Sequence, residues 1–448
     1  MIHRILHSLA ALFFLAAFCA VPQARAQAPA ADSPAIEKKA DAMLAKLTLG
    51  EKIDLLGGED NMFIRAQPAA GFPRLKMSDG PTGVRTWGPD TAYAAGIALA
   101  ASWDPALAER LGVSIGRDAR ARGVNFLLGP GVDIYRAPMN GRNFEYFGED
   151  PFLASRIVVG YVDGVQSQGV VATIKHFALN EQEYDRHNVS SDADERAMRE
   201  IYFPAFEAGV REAHAGAIMD SYNLINGVHA TQNGFLNNQV LKKDWGFDGV
   251  VMSDWTSTYD GVAAANNGLD LEMPFAIFMT RKTLLPAIQQ GKVSQATIDD
   301  KVRRIFRTAL RFGFLDRPQT DLSIPRYDPE ARQVALEEAR ESIVLLKNEN
   351  RLLPLDRGKI HTVAVLGPDA WPTVTGGGGS SIVTPFTSVG ILDGLNQMGG
   401  LKVLYARGIP TLEELFEGTT LTAVDSGKPA PARSGDENIK VETFANDH

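Results

Sequence analysis

Gly249-Val250-Val251-Met252-Ser253-Asp254-Trp255 is the stretch from which the fold is read. A short apolar, β-branched run bounded by glycine reads as a buried strand. An unpaired carboxylate inside such a strand would be costly, because a buried charge must be neutralised or tightly hydrogen-bonded. Asp254 is therefore expected just past the strand end, in a cleft, with the indole of Trp255 beside it. The plainer alternative is an aspartate that caps the next helix.

The same design recurs along the chain. Val124-Asn125-Phe126-Leu127-Leu128 ends in Gly129-Pro130-Gly131-Val132-Asp133, and Val170-Val171-Ala172-Thr173-Ile174 ends in Lys175-His176. Ala217-Ile218-Met219 ends in Asp220-Ser221-Tyr222-Asn223, and Leu269-Asp270-Leu271-Glu272-Met273 follows the Asp254 segment. Helical patterns at 152–168, 194–214 and 235–245 lie between them. Strands alternating with helices at this spacing imply a parallel sheet. Polar groups gathered at the carboxyl ends of successive strands mark the active face of a TIM-like (β/α)8 barrel. A doubly wound sheet would also place ligands at strand ends, but with a glycine-rich phosphate loop that the first strands lack. The expected fold class is α/β, with the barrel over 27–315.

Ser33-Pro34 opens the first helix, with proline at its first position. Ile36, Ala40, Met43, Leu44 and Leu47 form its apolar face, and Thr48-Leu49-Gly50-Glu51 is a capping box for the next. Near the barrel's end, 298–312 is amphipathic and stops at Gly313. The proline-bearing stretch 316–330 reads as a linker. A partial second domain follows over 331–415, opening with a helix at 331–346 and a strand at Val363-Ala364-Val365-Leu366. Gly376 to Ser381 is a Gly/Ser loop, and 416–448 reads as an exposed connection.

Of the 448 residues, 45% are hydrophobic and 22% charged, ordinary values for a globular protein. The balance of 45 basic against 54 acidic residues leaves −9 without a Lys/Arg cluster, so nucleic acid is not an expected partner. Residues 1–26 read as a signal peptide: Arg4, an apolar core at 9–21, and an Ala24-Arg25-Ala26 cleavage site. The apolar core is shorter than the ~20 residues a membrane span needs. Cys19 is the single cysteine and lies in this leader, which excludes disulfides, thiolate catalysis and cysteine-ligated metal from the mature chain. A periplasmic or secreted location is expected, with no membrane contact after cleavage. Neither a cofactor nor a metal is expected.

Three further polar clusters sit at or near strand ends. Ser78-Asp79-Gly80-Pro81-Thr82-Gly83-Val84-Arg85 sets an aspartate and an arginine around a turn, for which turn chemistry alone is the plainer account. Asn140-Gly141-Arg142-Asn143-Phe144-Glu145 and Lys175-His176 could each be solvated loop charges. Their joint appearance argues for one site. Asp and Arg can grip vicinal hydroxyls, Lys and His add donors, and Tyr222 and Trp255 add ring surfaces, a mix suited to a neutral polyol. A carboxylate beside an indole can present a nucleophile to the face of a sugar ring.

On these motifs the sequence resembles glycoside hydrolase family 3, and is similar to its β-glucosidases, over about 44–410. Val251-Met252-Ser253-Asp254-Trp255, Gly268-Leu269-Asp270-Leu271-Glu272-Met273-Pro274 and Leu346-Lys347-Asn348-Glu349 extend the match. The resemblance implies an α/β sandwich as the second domain and a retaining, exo-acting β-glycosidase that releases terminal β-D-glucose. It implies Asp254 as nucleophile. Asp79, Arg85, Arg142, Lys175, His176, Arg186, Tyr222 and Trp255 would line the subsite of the non-reducing sugar, with a non-proline cis peptide between Lys175 and His176.

A retaining mechanism needs a second carboxyl group about 5–5.5 Å from the nucleophile. By the resemblance, that acid/base glutamate comes from a second-domain loop beyond the point where this chain stops. Glu145 belongs to the arginine motif, and Glu181 and Glu183 are read as loop residues. The chain is thus expected to be a truncated form whose last residues, 439–448, resemble the start of an insertion domain. A sugar-binding protein without efficient turnover is one alternative. A β-xylosidase or β-N-acetylhexosaminidase of the same family is another, although Phe177-Ala178-Leu179-Asn180-Glu181 lacks the His-Asp pair of the hexosaminidases. A Schiff-base lysine at Lys175 is the reading from another reaction class.

Overall fold

The computed structural model describes residues 33–409; the leader and the segment 416–448 lie outside the described residues. Leu75–Asp79 pairs in parallel with Phe126–Leu128, which pairs in turn with Val171–Phe177. Ala217–Asp220 and Val250–Ser253 continue the parallel series. Met252 then bridges to Leu271, and Glu272 bridges to Gly57. The hairpin of Gly58–Glu59 and Phe63–Ile64 returns the sheet to Leu75–Asp79 by antiparallel pairing and closes the ring. Phe126, Val171, Ile174, Ile218 and Val251 have no exposed surface. Burial on both faces explains why these strands read as unbroken apolar runs rather than alternating ones.

The barrel is less regular than eight equal strand–helix units. One stave, Phe63–Ile64, runs antiparallel to its neighbours. The segment 269–273, expected as a full strand, joins through single bridges. Asp270 Oδ2 takes the backbone N–H of Val251, a donor that a ladder would use, while Glu272 accepts from the loop N–H groups of Ile277, Phe278 and Met279.

The helical stretch at 194–214 is also broken. It runs as Glu195–Ala197, a π turn over Met198–Tyr202, and a new helix at Pro204–Arg211. Pro204 has no N–H to continue the ladder, so the helix must restart there.

The first helix is Pro34–Leu44, N-capped by Ser33, and the Thr48–Glu51 capping box is formed. The amphipathic helix Gln295–Arg311 ends before Gly313, whose φ is 67°. The stretch expected as a linker is irregular but bonded to the barrel. Arg317 donates to the carbonyl of Gly169, Gln319 to that of Val124, and the Asp321 N–H to that of Arg120.

The next helix is Pro329–Glu341 rather than 331–346, with Asp328 as its N-cap. It lies against the barrel helix Pro105–Ala121 through Arg117–Asp328 and Arg110–Glu337 ion pairs. Beyond it, Thr362–Leu366 and Lys402–Ala406 form a parallel pair with the helix Ile391–Gln397 between them in sequence, the opening α/β unit of the second domain.

Candidate active site

Asp254 stands just past Val250–Ser253, so its carboxylate leaves the buried ladder at the barrel's carboxyl end. Oδ1 accepts the Trp255 N–H at 2.7 Å, and the Tyr222 hydroxyl bonds to the same carboxylate. His176 Nε2 lies 3.5 Å from Oδ2. Burial, with Arg142, Lys175 and Arg186 nearby, pushes the His176 imidazolium pKa well down, so the ring is neutral. Tyr146 Oη and Asp133 Oδ2 stand 3.3 and 3.4 Å from its Nδ1. Asp133 also accepts the backbone N–H of His176 and Asn180, which shapes the chain as it leaves the strand. The Lys175–His176 peptide is cis.

Asp79 ends the Leu75–Asp79 strand and accepts from Arg85 Nη1 at 2.7 Å, with Lys175 Nζ at 3.9 Å. Burial raises the Asp79 pKa, and the two cations oppose that rise. Arg142, half-buried, is paired through Nε to the buried Glu145. Arg186 is paired to Glu183 at 2.6 Å, and its guanidinium sits 3.8 Å over the Tyr222 ring, a cation–π contact. The indole of Trp255 is fixed by Nε1 donating to Asn61 Oδ1 at 2.9 Å.

These groups surround one cavity of about 390 Å³. Asp79, Arg85, Arg142 and Lys175 are on its wall, as are Arg186, Tyr222, Asp254 and Trp255. His176 is not on the wall; it stands behind the nucleophile candidate and touches it. The cavity also has wall residues that were not among the site candidates. Asn61 comes from the turn between the hairpin strands, at φ 66°, and Phe144 comes from the arginine loop. Gly377, Gly378, Gly379 and Ser380 come from the Gly/Ser loop. That loop was visible in the sequence, but nothing in it pointed to a partner 238 residues earlier, where Arg142 Nη2 donates to Ser380 Oγ at 3.2 Å.

The charge pattern defines what the cavity can hold. Asp79, Glu145 and Glu183 each face an arginine, so three of the wall's cations are already compensated. Asp254 is held by neutral donors instead. Such a site presents many hydrogen-bonding groups and little net charge, which favours a neutral polyol over a phosphate. No group of three His, Cys, Asp or Glu side chains among the described residues is placed to hold a metal ion. No helix among them is long and apolar enough to cross a membrane.

Residues 60–308 match the Glycosyl hydrolase family 3 N terminal domain, and residues 343–440 match the Glycosyl hydrolase family 3 C-terminal domain. The chain is similar to a beta-glucosidase of Rhizobium radiobacter, with 42% identity over 362 residues, covering 79% of this chain and 44% of that one. A beta-glucosidase of Bacteroides ovatus is 39% identical over 423 residues, covering 87% of this chain and 56% of that one. The chain thus spans about half the length of these curated relatives.

Among solved structures, beta-glucosidase 3B from Thermotoga neapolitana in complex with glucose has a TM-score of 0.75 at 33% identity, over 82% of this chain and 55% of that one. The beta-glucosidase DesR from Streptomyces venezuelae, in complex with D-glucose, has a TM-score of 0.77 at 36% identity, over 83% and 50%. A barrel with this site at its carboxyl face, and a family match over more than half its length, make the chain a member of glycosyl hydrolase family 3.

Proposed function

We propose that the cavity binds the terminal glucose of a β-glucoside and that Asp254 is the nucleophile of a retaining, exo-acting hydrolysis. The observation that carries this reading is Asp254 itself. It is the one carboxylate on the cavity wall, among the described residues, with no cation paired to it. An anionic oxygen held by weak neutral donors remains nucleophilic, whereas an ion-paired one is stabilised against attack. In the proposed step, an Asp254 oxygen bonds to the anomeric carbon as the glycosidic C–O bond breaks. Water then displaces the carboxylate and restores the original configuration. Arg142, Lys175, Arg186 and the Asp79–Arg85 pair would hold the sugar's hydroxyls, and Trp255 would face the ring. The relatives' β-glucosidase names and the glucose held by two structural neighbours support the same sugar. An export address at residues 1–26 goes with a periplasmic or secreted enzyme.

We further propose that the general acid is not among the described wall carboxylates. Asp79, Glu145 and Glu183 are each already engaged by an arginine of the wall. General acid catalysis typically contributes 10²–10⁴-fold, most for poor leaving groups. With no acid supplied from outside the described residues, the 448-residue chain should form a glycosyl-enzyme from aryl glucosides with acidic phenols and be nearly inert toward cellobiose. Rates across a series of phenols test this, and a flat dependence with efficient cellobiose cleavage would show that an acid is present. The second reading, sugar binding without efficient turnover, rests on the same ion-paired carboxylates. A 2-deoxy-2-fluoro-glucoside separates the two: mass added to the Asp254 peptide supports the nucleophile, while tight binding without labelling favours a binding protein.

A further inference from the structure

We infer that Ser381, on a loop outside the barrel, is a positioning residue that sets Arg142 for the sugar by holding Glu145; the inference rests on the glucose-site reading above. Glu145 is 1% exposed and has two oxygens to satisfy. Oε1 faces Arg142 Nε, and Oε2 accepts the hydroxyl of Ser381. The serine is itself fixed: it is 2% exposed, and its carbonyl accepts the Thr82 hydroxyl at 2.7 Å.

The loop around it is seated on the barrel at several points. Gly377 lies so close to Phe144 that a Cβ there would stand 2.5 Å from the ring, which only glycine permits. Ser380 Oγ accepts from Arg142 Nη2 at 3.2 Å, and beyond the loop the Asp90 N–H donates to the carbonyl of Thr384 at 2.9 Å. Two neighbouring serines thus link this loop to the Arg142–Glu145 ion pair in the cavity wall, Ser380 to the guanidinium and Ser381 to the carboxylate.

The physical consequence follows from carboxylate geometry. An Arg–carboxylate pair prefers two parallel N–H···O bonds. With Oε2 occupied by Ser381, Glu145 engages the guanidinium through one oxygen, and the outer nitrogens stay directed at Ser380 and the cavity. Without the hydroxyl, Oε2 is a buried acceptor lacking a donor, an unfavourable state. The carboxylate is then expected to turn and take a second guanidinium N–H, drawing Arg142 away from the sugar.

The test is glucose affinity by calorimetry on the 448-residue chain and its S381A, S381T, E145Q and S381A/E145Q variants, with Tm measured alongside. The expected result is that S381A binds glucose about tenfold more weakly with Tm nearly unchanged, and that S381T restores most of the affinity. In the E145Q background S381A should cost less than threefold, because its action passes through Glu145. Equal affinity of S381A and the unmodified chain would overturn the inference, as would an undiminished S381A effect in E145Q. Loss of the folding transition in S381A would also overturn it, since the hydroxyl would then be needed for the fold rather than for Arg142. An unmodified chain that does not bind glucose would overturn the site reading, and this inference with it.

Discussion

At the scale of single residues, the site separates two uses of a carboxylate. Asp79, Glu145 and Glu183 are spent on fixing arginines, and Asp254 is left among neutral donors. Asp254→Ala and Asp254→Asn should therefore remove at least 10³-fold of turnover on aryl glucosides while the fold persists, because each deletes the attacking oxygen. Azide should restore activity to the alanine variant and give a product of inverted configuration, read by NMR of the released sugar. Undiminished turnover by either variant would rule Asp254 out. His176 was expected beside Lys175 on the sugar; it stands instead behind the nucleophile candidate, a neutral contact of Asp254. The motif made both residues legible, but which of the two faces the cavity depends on how the chain leaves the Val171–Phe177 strand.

At the scale of elements, the barrel's outer layer rests on close helix packing. Pro105–Ala121 and Pro151–Ser167 meet through glycines: a Cβ at Gly112 would stand 2.3 Å from the Tyr161 carbonyl, and one at Gly164 would stand 2.1 Å from that of Glu109. These neighbours are backbone atoms and cannot rotate aside, so the helices would have to separate. Gly164→Ala is expected to destabilise by roughly 1–3 kcal/mol, in the range of overpacked cores, despite alanine's better helix propensity. Urea unfolding followed by circular dichroism measures it, and a stabilised variant would show that the helices are not in contact there. The 3.6-residue pattern located the helix at 152–168 but not its partner Pro105–Ala121, and it carries no information on which faces touch. Periodicity likewise missed the break at Pro204 and the end of the later helix at Glu341, where local proline geometry and packing on the barrel decide.

At the scale of the whole molecule, the Pro329–Glu341 helix joins the second domain to the barrel and carries a buried acid. Glu338 is 1% exposed, accepts the Ala94 N–H at 3.0 Å, and is pushed by burial from 4.5 to about 8. Its folded pKa lies above its unfolded one, so between them the folded state binds the extra proton. The stabilisation is fully present below about pH 4.5 and is lost as pH rises through about 8. Each unit is worth about 1.4 kcal/mol, so the loss can reach a few kcal/mol. Glu338→Gln, neutral throughout, should lessen the fall in stability between pH 5 and pH 8, measured by urea unfolding at both. An identical fall in the variant would show that other groups carry it.

What the sequence determined by itself is what short-range chemistry records. Apolar runs bounded by glycine marked the strands, since burial on both faces demands them. Polar residues at or near the ends of those runs marked Asp79, Arg85, Arg142, Lys175, Tyr222, Asp254 and Trp255, which line one cavity, since a carboxylate or guanidinium cannot stay inside the ladder. Arg186, on the same wall, was implied only by the family resemblance. What only the tertiary structure decided are the contacts between distant segments. The antiparallel stave at Phe63–Ile64, the bridges at Leu271 and Glu272, and the Gly/Ser loop laid against Arg142 and Glu145 depend on shape and on which donors remain free once the barrel has closed. No local pattern encodes that remainder, because it exists only after packing has used the rest.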